Sequence, residues 1–247
     1  MPLIFRLAND FRFRSTMTNQ KHLKKVVEET GHTTEPLTAE PRWPAIVALL
    51  AMGGLYAALP EYLTLGPRWL FLVIVVPLLI LAIISYRRGQ HSLNNVLGIT
   101  VNSVVTLGLI ASVVLLISAL PSHKESPIEL LLSAASLWVT NVLVFALWYW
   151  RLDAGGPNHR DKRPGHNDGA FLFPQMTMDP EIKMKMGEKD WSPNFVDYLF
   201  VSFNTSTAFS PTDVPVLSRW AKMLSMLQSL ISLTVVVLLA ARAVNIL

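Results

Sequence analysis

Cysteine is absent from all 247 residues. That excludes disulfides, thiolate metal sites, a cysteine nucleophile and covalent haem attachment. Charge is scarce: 15% of residues are Asp, Glu, Lys or Arg, against roughly 25% in a soluble domain. These residue types are missing from the interior of every long apolar stretch, so a proton relay or an ion-coupled transporter lacks its usual parts. No internal repeat is visible, which disfavours an inverted-repeat transporter. No P-loop, dinucleotide fingerprint or nucleophile–base pair occurs, so neither a catalytic site nor a cofactor is expected. The net charge of +4 is small, and the basic residues sit at the ends of apolar stretches. Nucleic acid is therefore not an expected partner.

What is present is apolar length. Half of the chain (51%) is hydrophobic, and a membrane crossing needs about 20 mostly apolar residues. Five stretches meet or approach that length: 43–60, 69–85, 92–122, 130–150 and 223–241. The first is short and carries Gly53 and Gly54; the second holds Pro77, which neighbouring helices in a membrane tolerate. The fold class that follows is an all-α polytopic membrane helix bundle of about five transmembrane helices, with the lipid bilayer as its surroundings. Trp43, Trp69, Trp148, Trp150 and Trp220 fall at the ends of these stretches, where the headgroup region suits an amphipathic ring.

The polar segments divide the chain further. Residues 1–42 form a basic tail without the apolar core of a cleavable signal peptide. Residues 43–150 are the four-helix transmembrane region, 151–194 a polar loop, and 195–247 the re-entrant helix with the last span. In the loop, His159, Asp161, His166 and Asp168 are the types that bind zinc, but the Gly, Pro and Lys around them fit a solvated loop, and no metal site is assigned. Met176, Met178, Met184 and Met186 include pairs of the kind that suits Cu(I). Ile182, Met184 and Met186 also alternate with Lys183 and Lys185 as in an amphipathic strand. Asp179-Pro180 then reads as the turn of a small β-hairpin.

Segment 195–217 fits no simple span. Its apolar-aromatic part, 195–203, is too short to cross, and it opens with Ser192 as N-cap, Pro193 at the first helical position and Asp197 near the positive end of the dipole. It runs into Asn204-Thr205-Ser206-Thr207 and stops at Ser210-Pro211. A short helix, irregular backbone and a full span make a re-entrant, pore-type helix before the last span, which membranes tolerate only inside protein or against a water-filled cavity. The alternative is an ordinary turn, with Asp213 or Ser218 capping the last helix.

Residues 200–207 (FVSFNTST), then AFSPTD and SRWAKMLSMLQSLISL, resemble the pore helix, filter and inner helix of the pore-loop potassium channels. Aligned on the aspartate, Thr207, Ala208, Phe209, Ser210, Pro211, Thr212 and Asp213 stand where that family has Thr-Thr-Val-Gly-Tyr-Gly-Asp. The segment is also similar to the C-terminal part of uncharacterised bacterial multi-pass membrane proteins. The potassium-channel resemblance implies a channel-like protein of the plasma or inner membrane that passes small monovalent cations as a homo-oligomer, a tetramer in that family. The filter glycines are replaced by Ser210 and Thr212, and Pro211 fixes its own φ. A carbonyl ladder of the potassium type is therefore not expected, and the hydroxyl-rich turn from Thr205 to Asp213 would select poorly. Ser225, Gln228, Ser229 and Ser232 share one face of the last span. That face is either a pore lining or a hydrogen-bonded seam between helices. A non-conducting scaffold or partner subunit is the other functional reading.

Orientation divides the two lines of argument. With five spans and residues 1–42 in the cytoplasm, sixteen Lys and Arg lie inside against Arg68 and Lys124 outside, as the positive-inside rule favours. The hairpin then enters from the cytoplasmic side, whereas the potassium channels insert theirs from outside.

Overall fold

The computed structural model describes residues 40–119, 126–163, 165–166, 168–188, 191–207 and 214–244. Over these residues the elements are helices: α1 (Trp43–Ala58), α2 (Arg68–Arg87), α3 (His91–Ala119), α4 (Pro127–Leu152), the short α5 (Pro157–Arg160), α6 (Pro174–Thr177) and α7 (Pro180–Lys185), then α8 (Phe195–Thr207) and α9 (Arg219–Val244). No strand occurs among the described residues, only an isolated antiparallel bridge between Phe171 and Val216. The chain is an all-α bundle.

Four of the helices, α2, α3, α4 and α9, are long and apolar enough to cross a membrane. The protein is thus a membrane protein by length and composition. The marginal first stretch becomes α1, whose 16 residues rise about 24 Å, short of a hydrocarbon core of about 30 Å. Pro77 lies inside α2 without ending it. α2 turns Val73, Ile74, Val76, Ile80 and Leu81 outward, an apolar surface that suits lipid and not water.

Each long helix begins or ends on local chemistry. Ser126 caps α4 by accepting from the Glu129 N–H, and Pro127 occupies its first turn. The Asn94 side chain donates to the Ala82 carbonyl (2.8 Å) and pins the start of α3 to the end of α2. Neighbouring long helices run antiparallel. Tyr56 stacks on Phe71 (4.1 Å) where α1 and α2 meet, and Trp148 near the end of α4 donates to Thr106 of α3 (2.9 Å). α4 is central, packed by α1, α3, α8 and α9, and it buries Leu137, Val144, Phe145, Leu147 and Tyr149.

Three sequence expectations are corrected. The loop at 151–194 contains no β-hairpin among its described residues: the alternating stretch is α7, capped by Asp179, which accepts from the Glu181 N–H. Pro180 at the first position, Glu181 in the first turn and Lys183 and Lys185 in the last suit a helix dipole. Six residues are too few to display a 3.6 period, so the alternation misled. The cap of α8 is Asn194, not Ser192. Asn194 Oδ1 accepts from Val196 N–H (2.8 Å) and Asp197 Oδ2 from Asn194 N–H (2.7 Å), a reciprocal capping box. Finally, only some tryptophans sit outward. Trp43 and Trp69 are exposed, whereas Trp150 is buried with its indole N–H on Glu40, and Trp148 is held by Thr106.

The junction of α4 and α5 turns on Gly156, whose φ of 86° is left-handed. A Cβ at that position would lie 2.6 Å from the Arg151 carbonyl oxygen. Gly156→Ala is expected to destabilise the bundle by at least about 1–2 kcal/mol from the backbone alone, with the clash added. Thermal unfolding in detergent checks this; an unchanged melting temperature contradicts it.

Candidate functional site

α8 is the element that sets this bundle apart. Its 13 residues rise about 20 Å, too little to cross. Its start is fixed at one end of the bundle by a charged knot. Asp153, just past α4, is fully buried and accepts from the Tyr198 hydroxyl (2.6 Å) and from the Ala170 N–H. Arg160 donates to the Trp150 and Asp153 carbonyls (2.9 Å each) and to Glu40 (2.9 Å), with its guanidinium 5.0 Å from the Tyr198 ring centroid. Burial pushes the Tyr198 phenol well up, Arg160 holding it partly down, so it stays a donor to Asp153. Burial likewise pushes the Asp197 carboxyl up, against the Asn194 N–H bond that lowers it.

From there α8 descends between α4 and α9, antiparallel to the first and parallel to the second. Ser202 donates to the Val142 carbonyl (2.6 Å), Phe203 meets Trp138 edge-on at 5.9 Å, and Ser232 Oγ donates to the Ser206 carbonyl (2.7 Å). Trp138 lies about 21 Å along the axis from the end of α4, and Ser232 about 20 Å from the start of α9, at 1.5 Å per residue. The tip of α8 therefore reaches roughly the middle of both long helices. By 214–217 the chain is back at the end where α8 began: Leu172 N–H donates to Pro215 (2.9 Å), Leu217 N–H to Ala170 (2.7 Å), and Phe171 packs on Tyr149, Tyr198 and Trp220.

The hydroxyl face of the last helix points into this hairpin. Gln228 is fully buried. Its amide nitrogen lies 2.7 Å from the Ser202 carbonyl, the Ser202 hydroxyl and the Ser206 hydroxyl, while its oxygen accepts from Tyr149 (2.6 Å). Ser225 is 3.2 Å from the same Tyr149 hydroxyl, Ser229 donates to the Thr205 carbonyl (3.3 Å), and Ser232 accepts from the Trp138 indole (2.9 Å). Asn141 adds a bond to the Gln228 carbonyl (3.2 Å). Within one chain all four residues thus form a seam between helices. The outward stripe of α9 is Met223, Met226, Leu230, Leu233 and Val237, which is apolar.

Of the filter-like turn, two residues are described. The Thr205 hydroxyl donates back to Val201 (2.8 Å) and is buried; that of Thr207 donates to Phe203 (3.0 Å) and is exposed. Ala208, Phe209, Ser210, Pro211, Thr212 and Asp213 lie outside the described residues. The loop pairs separate: Asp161 joins Arg42, Asp168 pairs with Arg163 (2.8 Å), and His166 is buried between Phe173 and Trp191, 3.5 Å from Asp153. Among the described residues no three His, Asp or Glu side chains group as metal ligands.

Sequence reasoning missed Tyr149, Asp153, Arg160 and Tyr198, the anchors of the hairpin. Their partners are 7 to 120 residues away, and no local spacing announces them. Compared with known proteins, the chain matches no family model, no curated protein and no solved structure.

The seam makes a graded prediction. Hydrogen bonds between membrane helices average about 0.6 kcal/mol, up to about 1.7. Gln228→Leu removes several at once and is expected to cost about 2 kcal/mol, whereas Ser225→Ala, losing one long contact, costs under about 0.6 kcal/mol. Chemical or thermal unfolding in detergent should rank them so. Equal losses contradict Gln228 as the node.

Proposed function

We propose that the chain is a multi-pass, pore-loop membrane protein of the plasma or inner membrane. In this reading it assembles as a homo-oligomer and passes small monovalent cations with poor selectivity through the turn that follows α8 and ends at Asp213, Thr205 and Thr207 being in the last turn of that helix. One observation carries the proposal: α8 enters the bundle from one end, stops near its middle and is followed by chain that has returned to the same end by Val214. Irregular backbone at membrane depth is tolerated when it is enclosed by protein or borders water, and such a turn serves an ion path when several copies meet. One hairpin cannot enclose a pore, hence the oligomer. The outward face of α8, with Val196, Phe200 and Phe203, is apolar and exposed, a surface that suits a neighbouring subunit or lipid.

A second reading rests on a different observation. Gln228 and Ser232 are fully buried and bonded within one chain, which fits a hairpin kept for packing. On that reading the protein is a non-conducting scaffold or partner subunit.

Reconstituted liposomes separate the two. The channel reading expects potassium or sodium flux above that of empty vesicles, reduced several-fold by Asp213→Asn. Flux equal to empty vesicles removes it and leaves the scaffold. The natural absence of cysteine makes a companion test clean. Thr207→Cys is expected to react with a membrane-impermeant maleimide if the turn borders water, and to stay unlabelled if it is enclosed by helices.

A further inference from the structure

We propose that Arg151 is the centre of a binding site for a phosphate-bearing anion, at the end of the bundle where α3 begins and α4 ends. The site is independent of whether the protein conducts. Arg151 lies in the last turn of α4, and its guanidinium is seated on Gly98 of α3. A Cβ at Gly98 would fall 1.8 Å from Nη1 and 2.0 Å from Cζ, so the charge occupies a notch that only glycine leaves open. Once seated, it has no counter-charge among the described residues. Arg151 Nε is buried without a hydrogen-bond partner, and among the described residues no carboxylate lies within 4 Å of the guanidinium.

A second cation borders it. Arg42 and Arg151 each hold Cζ 5.6 Å from the centroid of the Trp150 ring. Arg42 Nη1 is buried and lacks a hydrogen-bond partner as well. Among the described residues the carboxylates of this end leave Arg151 unpaired: Glu40 bonds Arg160 and Trp150 and lies 3.6 Å from Arg42 Nη1, Asp161 bonds Arg42 Nη2, and Asp153 holds Tyr198. Each of the two guanidinium groups against this indole keeps one buried N–H without a hydrogen-bond partner, which is costly unless a further negative group joins them. Planar donor forks match phosphate oxygens in pairs, and basic pockets between membrane helices at the headgroup level suit phospholipid phosphates. The exposed Arg87 and Arg88 at the end of α2, next to Tyr86, whose ring lies 5.8 Å from Arg42 Cζ, add to the positive field.

The ligand chemistry is a phosphate ester or phosphate ion, with two sources: the headgroup of an anionic phospholipid, or free phosphate. Titrating the delipidated full-length protein in detergent with short-chain phosphatidylglycerol, short-chain phosphatidylcholine and inorganic phosphate tests the site and its source. Saturable binding of phosphatidylglycerol, weakened at least about tenfold in Arg151→Gln, the worth of one charge-assisted hydrogen bond, supports a lipid site. The same pattern with inorganic phosphate supports a soluble ligand. Gly98→Ala keeps every charge but displaces the guanidinium, and it should weaken binding similarly. If that variant does not fold, Arg151→Lys, which keeps the charge and loses the fork, should still bind more weakly than the natural protein. Equal binding by the natural protein, Arg151→Gln and Arg151→Lys overturns the proposal, as does the absence of binding to all three probes.

Discussion

The contact on which the rest depends is the one between Gln228 and the serines of α8. A short helix that ends inside an apolar bundle exposes carbonyls and hydroxyls where water is scarce, and each unsatisfied group costs free energy. Gln228 presents its amide nitrogen to Ser202 and Ser206 and its oxygen to Tyr149, so one side chain joins α8, α4 and α9. Ser232 completes it by donating to the Ser206 carbonyl at the tip. Without this seam, α8 has apolar contacts but no register.

The charged knot does the complementary work at the entrance. Asp153 and Arg160 are both buried, and both are answered: Asp153 by Tyr198 and Ala170, Arg160 by Glu40 and two carbonyls. Because the knot draws on the stretch before α1, the end of α4, the loop and α8, it ties the polar segments to one end of the bundle. Phe171 then fills the space among Tyr149, Tyr198 and Trp220. The described residues of the loop are thereby tied to the end of the bundle where α8 begins.

Against that background Arg151 stands out, since every other buried charge of the knot has an opposite charge or a carbonyl against it. Its seat on Gly98 is sterically specific, and its buried Nε has no hydrogen-bond partner among the described residues, which is why a ligand is proposed there. The neighbouring Arg42 shares the same indole but is held by Asp161, which leaves the two arginines with different roles.

The apolar runs and their flanking charges were legible in the sequence alone, because burial against lipid demands about twenty consecutive apolar residues and leaves a one-dimensional trace. The long helices accordingly lie where 69–85, 92–122, 130–150 and 223–241 placed them, and the short helix before the last span is α8. Period and caps were less readable where elements are short: α7 mimicked a strand, and Asn194, one of several polar residues before α8, took the cap. The face of Ser225, Gln228, Ser229 and Ser232 was visible as a helical stripe, but what it faces was not. Only the tertiary structure decided that it meets α8 and α4, that Asp153 pairs with Tyr198, and that Gly98 makes room for Arg151. Such choices depend on side chains brought together from distant positions, and spacing along a chain carries no information about a partner 45 or 79 residues away.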